Sequence, residues 1–138
     1  MGRLLGIDYG EKRVGLAISD PTGTIASALD TILFKSKEDL FQQLKERVVS
    51  EDIAGVVVGM PFGMKGQVTA QTETVQQFIT ELRGQLSISV DSADERLSSV
   101  EAGRILQEQG HQPSRNKGMV DSTAAAIILQ SYLDGKRQ

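Results

Sequence analysis

The eight residues Ile53 to Met60, "IAGVVVGM", contain no polar side chain and show no alternation of apolar with polar positions. A strand read as an unbroken apolar run has both faces covered, the situation of a parallel strand with helices above and below it. The flanks agree. Leu40, Phe41, Leu44 and Val48 recur at helical spacing and predict an amphipathic helix over about Lys37 to Ser50. Val68, Val75, Ile79 and Leu82 predict a second helix, stopped by Gly84. A buried strand between two one-sided helices leaves few solutions other than a layered α/β fold.

The first third of the chain reads as strands. "RLLGIDYG" (about Arg3 to Tyr9) and "RVGLAISD" (about Arg13 to Ser19) flank the polar turn Gly10-Glu11-Lys12, as in a hairpin. A third strand is predicted over about Ala28 to Phe34, after the turn Asp20-Pro21-Thr22-Gly23. Farther on, Ser87 to Asp91 reads as a fifth strand, and the capping box Ser98-Ser99-Val100-Glu101 opens a helix ending near Gly110. A last, mostly apolar helix is predicted over about Lys117 to Leu133. The order βββαβαβαα predicts a mixed five-stranded sheet with helices on both faces, the architecture of ribonuclease-H-like domains.

At 138 residues the chain is expected to form one domain, 1–138, burying roughly two-thirds of its unfolded surface. It has no cysteine, which excludes disulfides and thiolate metal sites. The apolar run near Met1 is too short for a signal peptide, and no stretch approaches a membrane span, so a cytoplasmic protein without a membrane partner is expected. A net charge of −3 argues against coating nucleic acid by bulk positive charge. It is compatible with an enzyme that meets phosphates through a local basic rim and bound cations.

Asp8 interrupts the first apolar strand, near its C-terminal end. A carboxylate between Ile7 and Tyr9 is costly to bury without a partner, which favours a functional role over a strand-end acid bonded to backbone amides. Ligands in open α/β sheets bind at the carboxyl ends of the strands. Asp94 and Glu95 follow the fifth strand and are expected in a loop at that edge, and Asp121 falls in the first turns of the last helix. Oxygen donors with no cysteine and a single histidine, His111, point to Mg²⁺ or Mn²⁺. Two such ions could activate water and stabilise the leaving oxygen of a phosphodiester, with Asp8 bridging them and Glu95 and Asp121 completing the shells.

Plainer roles stand beside these. Glu95 could pair with Arg96 or Lys117, Asp121 could complement the helix dipole, and Asp94 fits a turn-stabilising role. His111 fits an exposed bystander rather than a general base. Basic residues near the same edge, Lys12, Arg13, Lys65, Arg96, Arg115 and Lys117, are candidate phosphate contacts, though most loop charges are merely solvated. The loop Gly59 to Gly66 could bring backbone amides near a phosphate, but it is neither a P-loop nor a dinucleotide fingerprint.

Four stretches, "GIDYGEKRVGLAISD", "VVVGMPFGMKG", "SADERLSSVEA" and "NKGMVDSTAAAIILQSYL", together resemble the YqgF family of Holliday junction resolvases, also described as pre-16S ribosomal RNA nucleases. The resemblance covers essentially the whole chain. It implies a ribonuclease-H-like fold, metal-dependent phosphodiester cleavage, and acidic positions at Asp8, Glu95 and Asp121. For Glu95 it is the resemblance that lifts the catalytic reading above simple charge pairing. The chain departs from the family at Gly63-Met64-Lys65-Gly66, where the family usually carries Asn-Met-Asp-Gly; Lys65 could add a phosphate contact there.

The reading that results is a divalent-metal-dependent endonuclease for structured nucleic acid, with 5′-end processing of pre-16S rRNA placed first. A Holliday junction resolvase in DNA recombination and repair stands as the alternative. A resolvase cuts two strands symmetrically and needs a homodimer, whereas an RNA processor could act as a monomer guided by ribosomal components. Two other classes stand beside it: an adaptor that binds nucleic acid or ribosomes without cutting, and a kinase- or actin-like ATP site suggested by "GIDYG", for which one domain is too little.

Overall fold

The computed structural model describes residues 2–95 and 117–136. In chain order the elements are β1 (Arg3–Tyr9), β2 (Arg13–Ser19), β3 (Ala26–Leu33), α1 (Lys37–Ser50), β4 (Ile53–Met60), α2 (Ala70–Gln85), β5 (Ser89–Asp94) and α3 (Lys117–Lys136). The five strands form one sheet in the order β3-β2-β1-β4-β5. β1 pairs antiparallel with β2 and parallel with β4; β2 and β3 are antiparallel, and β4 and β5 parallel.

Side-chain alternation divides the core into two layers. Leu5, Ile7, Val14, Leu16, Val56 and Val58 point to the side covered by α1 and α2, where they meet Leu40, Leu44, Phe78 and Leu82. Ala17 and Val57 point to the other side and pack with Ala125, Ala126, Leu129 and Leu133 of α3. Because β4 feeds both layers, every position in it can be apolar, which is the pattern of its sequence. On the α3 side the helix lies close to β1. A Cβ added at Gly6 would sit 2.9 Å from Leu129 Cβ and 3.1 Å from the Ala125 carbonyl oxygen. The Gln130 carboxamide ties α3 to the start of β3, accepting from Ala26 N at 2.9 Å and donating to Thr24 O at 3.0 Å.

Several boundaries differ from the sequence reading. β3 starts at Ala26, because the ladder with β2 extends to the Ser19–Ala26 pair, and it ends before Phe34. α2 begins after Val68, which is exposed: Thr69 takes the N-cap and forms a reciprocal capping box with Thr72. Gly84 does not stop this helix. A glycine there costs about 1 kcal/mol relative to alanine, yet Leu82 is buried and Arg83 donates twice to the Val90 carbonyl, at 3.1 and 2.9 Å. Those contacts hold the last turn through Gln85. β5 runs from Ser89 to Asp94 rather than from 87 to 91, because its ladder follows β4 as far as Met60. Asp94 is therefore a strand residue. α3 continues to Lys136. The helix predicted between Ser98 and Gly110 lies outside the described residues.

Phe78 lies at the centre of the larger layer, fully buried. Its ring stacks on Tyr9 at 4.1 Å between centroids and lies near-parallel to Phe41 at 6.0 Å. Phe78→Ala is expected to destabilise the protein by about 3–5 kcal/mol, read from the midpoint of denaturant unfolding.

Candidate active site

The alternation that sends Leu5 and Ile7 into the larger layer places Gly6 and Asp8 on the α3 side of β1. Asp8 stands beyond the point where α3 rests on Gly6, near the carboxyl end of the central strand, and it is half-buried. Its partner across the β1–β2 ladder is Gly15. On the other side the β1–β4 register, Gly6 with Val57 and Ile7 with Val58, brings Asp8 level with Gly59 at the next step. The acid thus stands in a trough whose two flanking positions carry no side chain.

Glu95 enters this trough from the end of β5. A Cβ at Gly59 would lie 2.8 Å from Glu95 Oε1, 3.0 Å from Glu95 Cγ and 2.6 Å from Ile128 Cδ1. The Glu95 side chain therefore turns back across β4 through space that any residue larger than glycine would fill. There its carboxyl group shares a hydrogen bond with that of Asp8. Burial pushes the Glu95 carboxyl above its ordinary value; the hydrogen bond with Asp8 pulls against that rise, and the charge of Asp94 adds to it. Two carboxyl groups in contact hold a proton between them or call for a cation.

Asp121 occupies the helical row Asp121, Ala125, Leu129, Leu133 at four-residue spacing. Ala125 and Leu129, one and two turns farther along this row, lie over Gly6 of β1. The side chains of Asp121 and Lys117 lie outside the described residues, as do Arg96, His111 and Arg115 entirely. Among the described residues no set of three histidine, aspartate or glutamate side chains converges as a metal site. Asp8 and Glu95 converge as a pair.

The remaining basic candidates line the same edge. Lys12 is exposed in the β1–β2 turn, and Arg13 is half-buried, sharing with Gly15 the α3 side of β2. Lys65 is exposed in the β4–α2 loop. That loop does not present its amides outward as the glycine content suggested. Gly63 N donates to Gln67 O at 2.9 Å, Lys65 N to Gln67 Oε1 at 2.9 Å and Gly66 N to Gly63 O at 2.8 Å. Three of the amides that were candidates for a phosphate cradle close a local turn instead.

Sequence reasoning did not pick out Gly15 and Gly59 as the walls of the site. The signal was available for Gly59: a glycine in a β-branched run marks close approach by another group.

A mixed five-stranded sheet with acids gathered at the carboxyl end of its central strand defines a ribonuclease-H-like domain of the resolvase type. Solved structures agree on the fold. Thermus thermophilus RuvC in complex with a Holliday junction substrate superposes with a TM-score of 0.63 at 15% identity, covering 99% of this chain and 96% of that one. The fowlpox virus resolvase bound to Holliday junction DNA gives 0.62 at 11% identity, covering 99% of each chain. The chain belongs to the RuvX family, described as Holliday junction resolvase, whose model matches residues 2–135. Relatives named "Putative pre-16S rRNA nuclease" include one from Chloroflexus aurantiacus, 42% identical over 134 residues, covering 97% of this chain and 88% of the relative. Another, from Acetivibrio thermocellus, is 43% identical over 136 residues, covering 97% and 96%.

A raised folded-state pKa means that the folded protein binds more protons than the unfolded chain above the ordinary glutamate value. Stability is then lost as pH rises from about 4.5 through the raised value. In thermal melts of the metal-free protein, Tm is expected to fall across that window, and Glu95→Gln is expected to flatten the fall. A variant with the wild-type slope would show that Glu95 does not carry it.

Proposed function

We propose that this protein is a divalent-metal-dependent endonuclease that hydrolyses phosphodiesters of structured nucleic acid in the cytoplasm, with the 5′ end of pre-16S rRNA as substrate. The observation that supports it most directly is the meeting of Asp8 and Glu95 carboxyl groups in a glycine-walled trough at the carboxyl end of the sheet. The choice of rRNA rests on the names of relatives that share about 40% of their residues with this chain.

The donor set suits a small hard cation. Burial and the neighbouring charge of Asp94 both disfavour an ionised Glu95 beside Asp8, and a divalent ion would relieve both. Asp8 and Glu95 would hold it, with Asp121 supplied from the second turn of α3. Bound there, Mg²⁺ or Mn²⁺ would supply Lewis-acid stabilisation of charge developing at phosphorus and at the leaving oxygen. The chain's own groups do the positioning. Asp8 is fixed by strands on both sides, and Glu95 by passage over Gly59 against Ile128. Lys12, Arg13 and Lys65 lie at the rim where neighbouring phosphates would pass, and Arg96, Arg115 and Lys117 are proposed to extend that rim.

A second reading, cleavage of branched DNA, is favoured by the family description and by the junction-bound structures of like fold. It requires paired incisions and therefore a two-fold dimer, whereas an RNA processor can work as a monomer with ribosomal components.

The test is a cleavage assay on precursor 16S RNA and on four-way junction DNA, with Mg²⁺ or Mn²⁺ and with chelator. Cutting of the RNA only with metal is expected, with a loss of about 10³-fold or more in Asp8→Asn. Cutting of the junction alone, by a dimer, would select the second reading. Binding without cutting would leave the adaptor.

A further inference from the structure

β1 ends with neighbouring residues on opposite sides of the sheet: Asp8 toward α3, and Tyr9 toward α2, where its ring stacks on Phe78. On the Tyr9 side a groove of about 370 Å³ opens between the β1–β2 turn and the first turns of α2. That volume lies in the range of pockets that take small ligands. Tyr9, Gly10 and Glu11 form one wall, and Gln71, Thr74 and Val75 line the other. Nothing in the reaction described above uses it.

The lining selects the chemistry of an occupant. Among the described residues its lining contains no lysine or arginine, Lys37 within electrostatic reach of Tyr9 is paired with Glu81, and Glu11 contributes a carboxylate, so a phosphate is disfavoured. An aromatic ring, a carboxamide and a hydroxyl are what a neutral planar heterocycle uses: stacking on the ring and hydrogen bonds to its edge. Tyr9 is suited to the stacking role because its ring cannot easily swing away. Phe78 backs it at 4.1 Å, and Phe78 in turn lies against Phe41. The Gln71 side chain is exposed on the first turn of α2 and brings both a donor and an acceptor. The Thr74 hydroxyl donates to the Ala70 carbonyl at 3.0 Å, which leaves its oxygen an acceptor.

Asp8 and Tyr9 are consecutive, so a strand laid over the end of β1 can place a phosphate at the carboxyl pair and the adjoining base on the other side. We propose that this groove receives one unpaired nucleobase next to the scissile phosphate, stacked against Tyr9 with its edge met by Gln71. The inference rests on the nuclease reading for the position of the cut, but the groove can be tested without cutting. It gives the protein a requirement for a single-stranded nucleotide beside the cleavage site, which a fully paired substrate would not meet.

The experiment uses the full chain carrying Asp8→Asn and single-stranded RNA oligonucleotides with 2-aminopurine placed at successive positions. Quenching confined to one position on binding is expected, as is a loss of affinity of about tenfold in Tyr9→Leu and in Gln71→Ala. Gln71 is on the surface, so its variant keeps the test valid if Tyr9→Leu fails to fold. An abasic site at the quenched position should weaken the Asp8→Asn protein by a similar factor and should abolish the difference made by Gln71→Ala. Equal affinity for intact and abasic oligonucleotides, effects of Gln71→Ala that persist on the abasic one, or no binding would overturn the proposal. Cutting by the wild-type chain, assayed in parallel, separates the two ideas. Base-dependent binding without cutting removes the nuclease and keeps the groove; cutting with no base dependence does the reverse.

Discussion

The contact between the carboxyl groups of Asp8 and Glu95 depends on the sheet being built as it is. Glu95 follows β5, two strands away from Asp8 on β1, and the intervening strand is β4. For the two to touch, β1, β4 and β5 must run parallel so that their carboxyl ends share an edge, and the middle strand must offer no side chain at the crossing point. Gly59 meets the second condition: a Cβ there would collide with Glu95 Oε1 and with Ile128 together. One residue thus admits both the acid and the helix that closes the site. The same device recurs one strand over, where Gly6 lets α3 settle on β1.

A site of this kind needs a rigid support, because carboxyl groups that meet where burial disfavours their charge gain by swinging apart into water. The support comes from the opposite face. Tyr9, the residue after Asp8, is held in a three-ring stack with Phe78 and Phe41, inside the layer that also contains Leu40, Leu44 and Leu82. Ladders on both sides of β1 fix the backbone between them. Displacing Asp8 by a rotation of the strand end would pull an aromatic ring out of the core. The burial that raises Glu95 and the stacking that anchors Tyr9 are therefore two results of one strand supplying both layers.

Much of this was legible in the residues. The apolar run in β4, the hairpin of β1 and β2, and the period of α1 gave boundaries that the structure reproduces, because each is set by local alternation or by a short polar turn. Asp8 stood out because a lone acid inside a strand needs a partner. Where the reading erred, contacts distant in sequence decided. Gly84 carries a stop signal that Arg83 and Leu82 override by binding to β5 and the core. The extent of β5 follows β4, its ladder partner, more than its own composition. Placement after the fifth strand made Glu95 a candidate, but only family resemblance lifted it above simple charge pairing, since nothing within "SADERL" reveals that a side chain will fold back over a glycine thirty-six positions earlier. The β4–α2 loop misled in the opposite sense: glycine suggested open amides, but Gln67 accepts from two of them with its main-chain and side-chain oxygens and the Gly63 carbonyl accepts from a third.

That closure bears on how the protein would hold a polyanion while carrying a net charge of −3. A phosphate cradle of the P-loop kind draws on main-chain amides, and three of those in this loop already bond within the turn. On the proposed nuclease reading, affinity for phosphates would then come from side chains spaced along the edge, such as the exposed Lys12 and Lys65, and from any cation held by the carboxyl pair. Such contacts position a backbone without reading its sequence. They also leave the strand able to slide past the acids, since successive phosphates are equivalent to a lysine. A fixed cleavage point therefore requires a feature that tells one nucleotide from the next. On this edge the groove beside Tyr9 differs from the basic rim in the property that matters, because its described lining, with Glu11 and no lysine or arginine, would suit a base better than a phosphate.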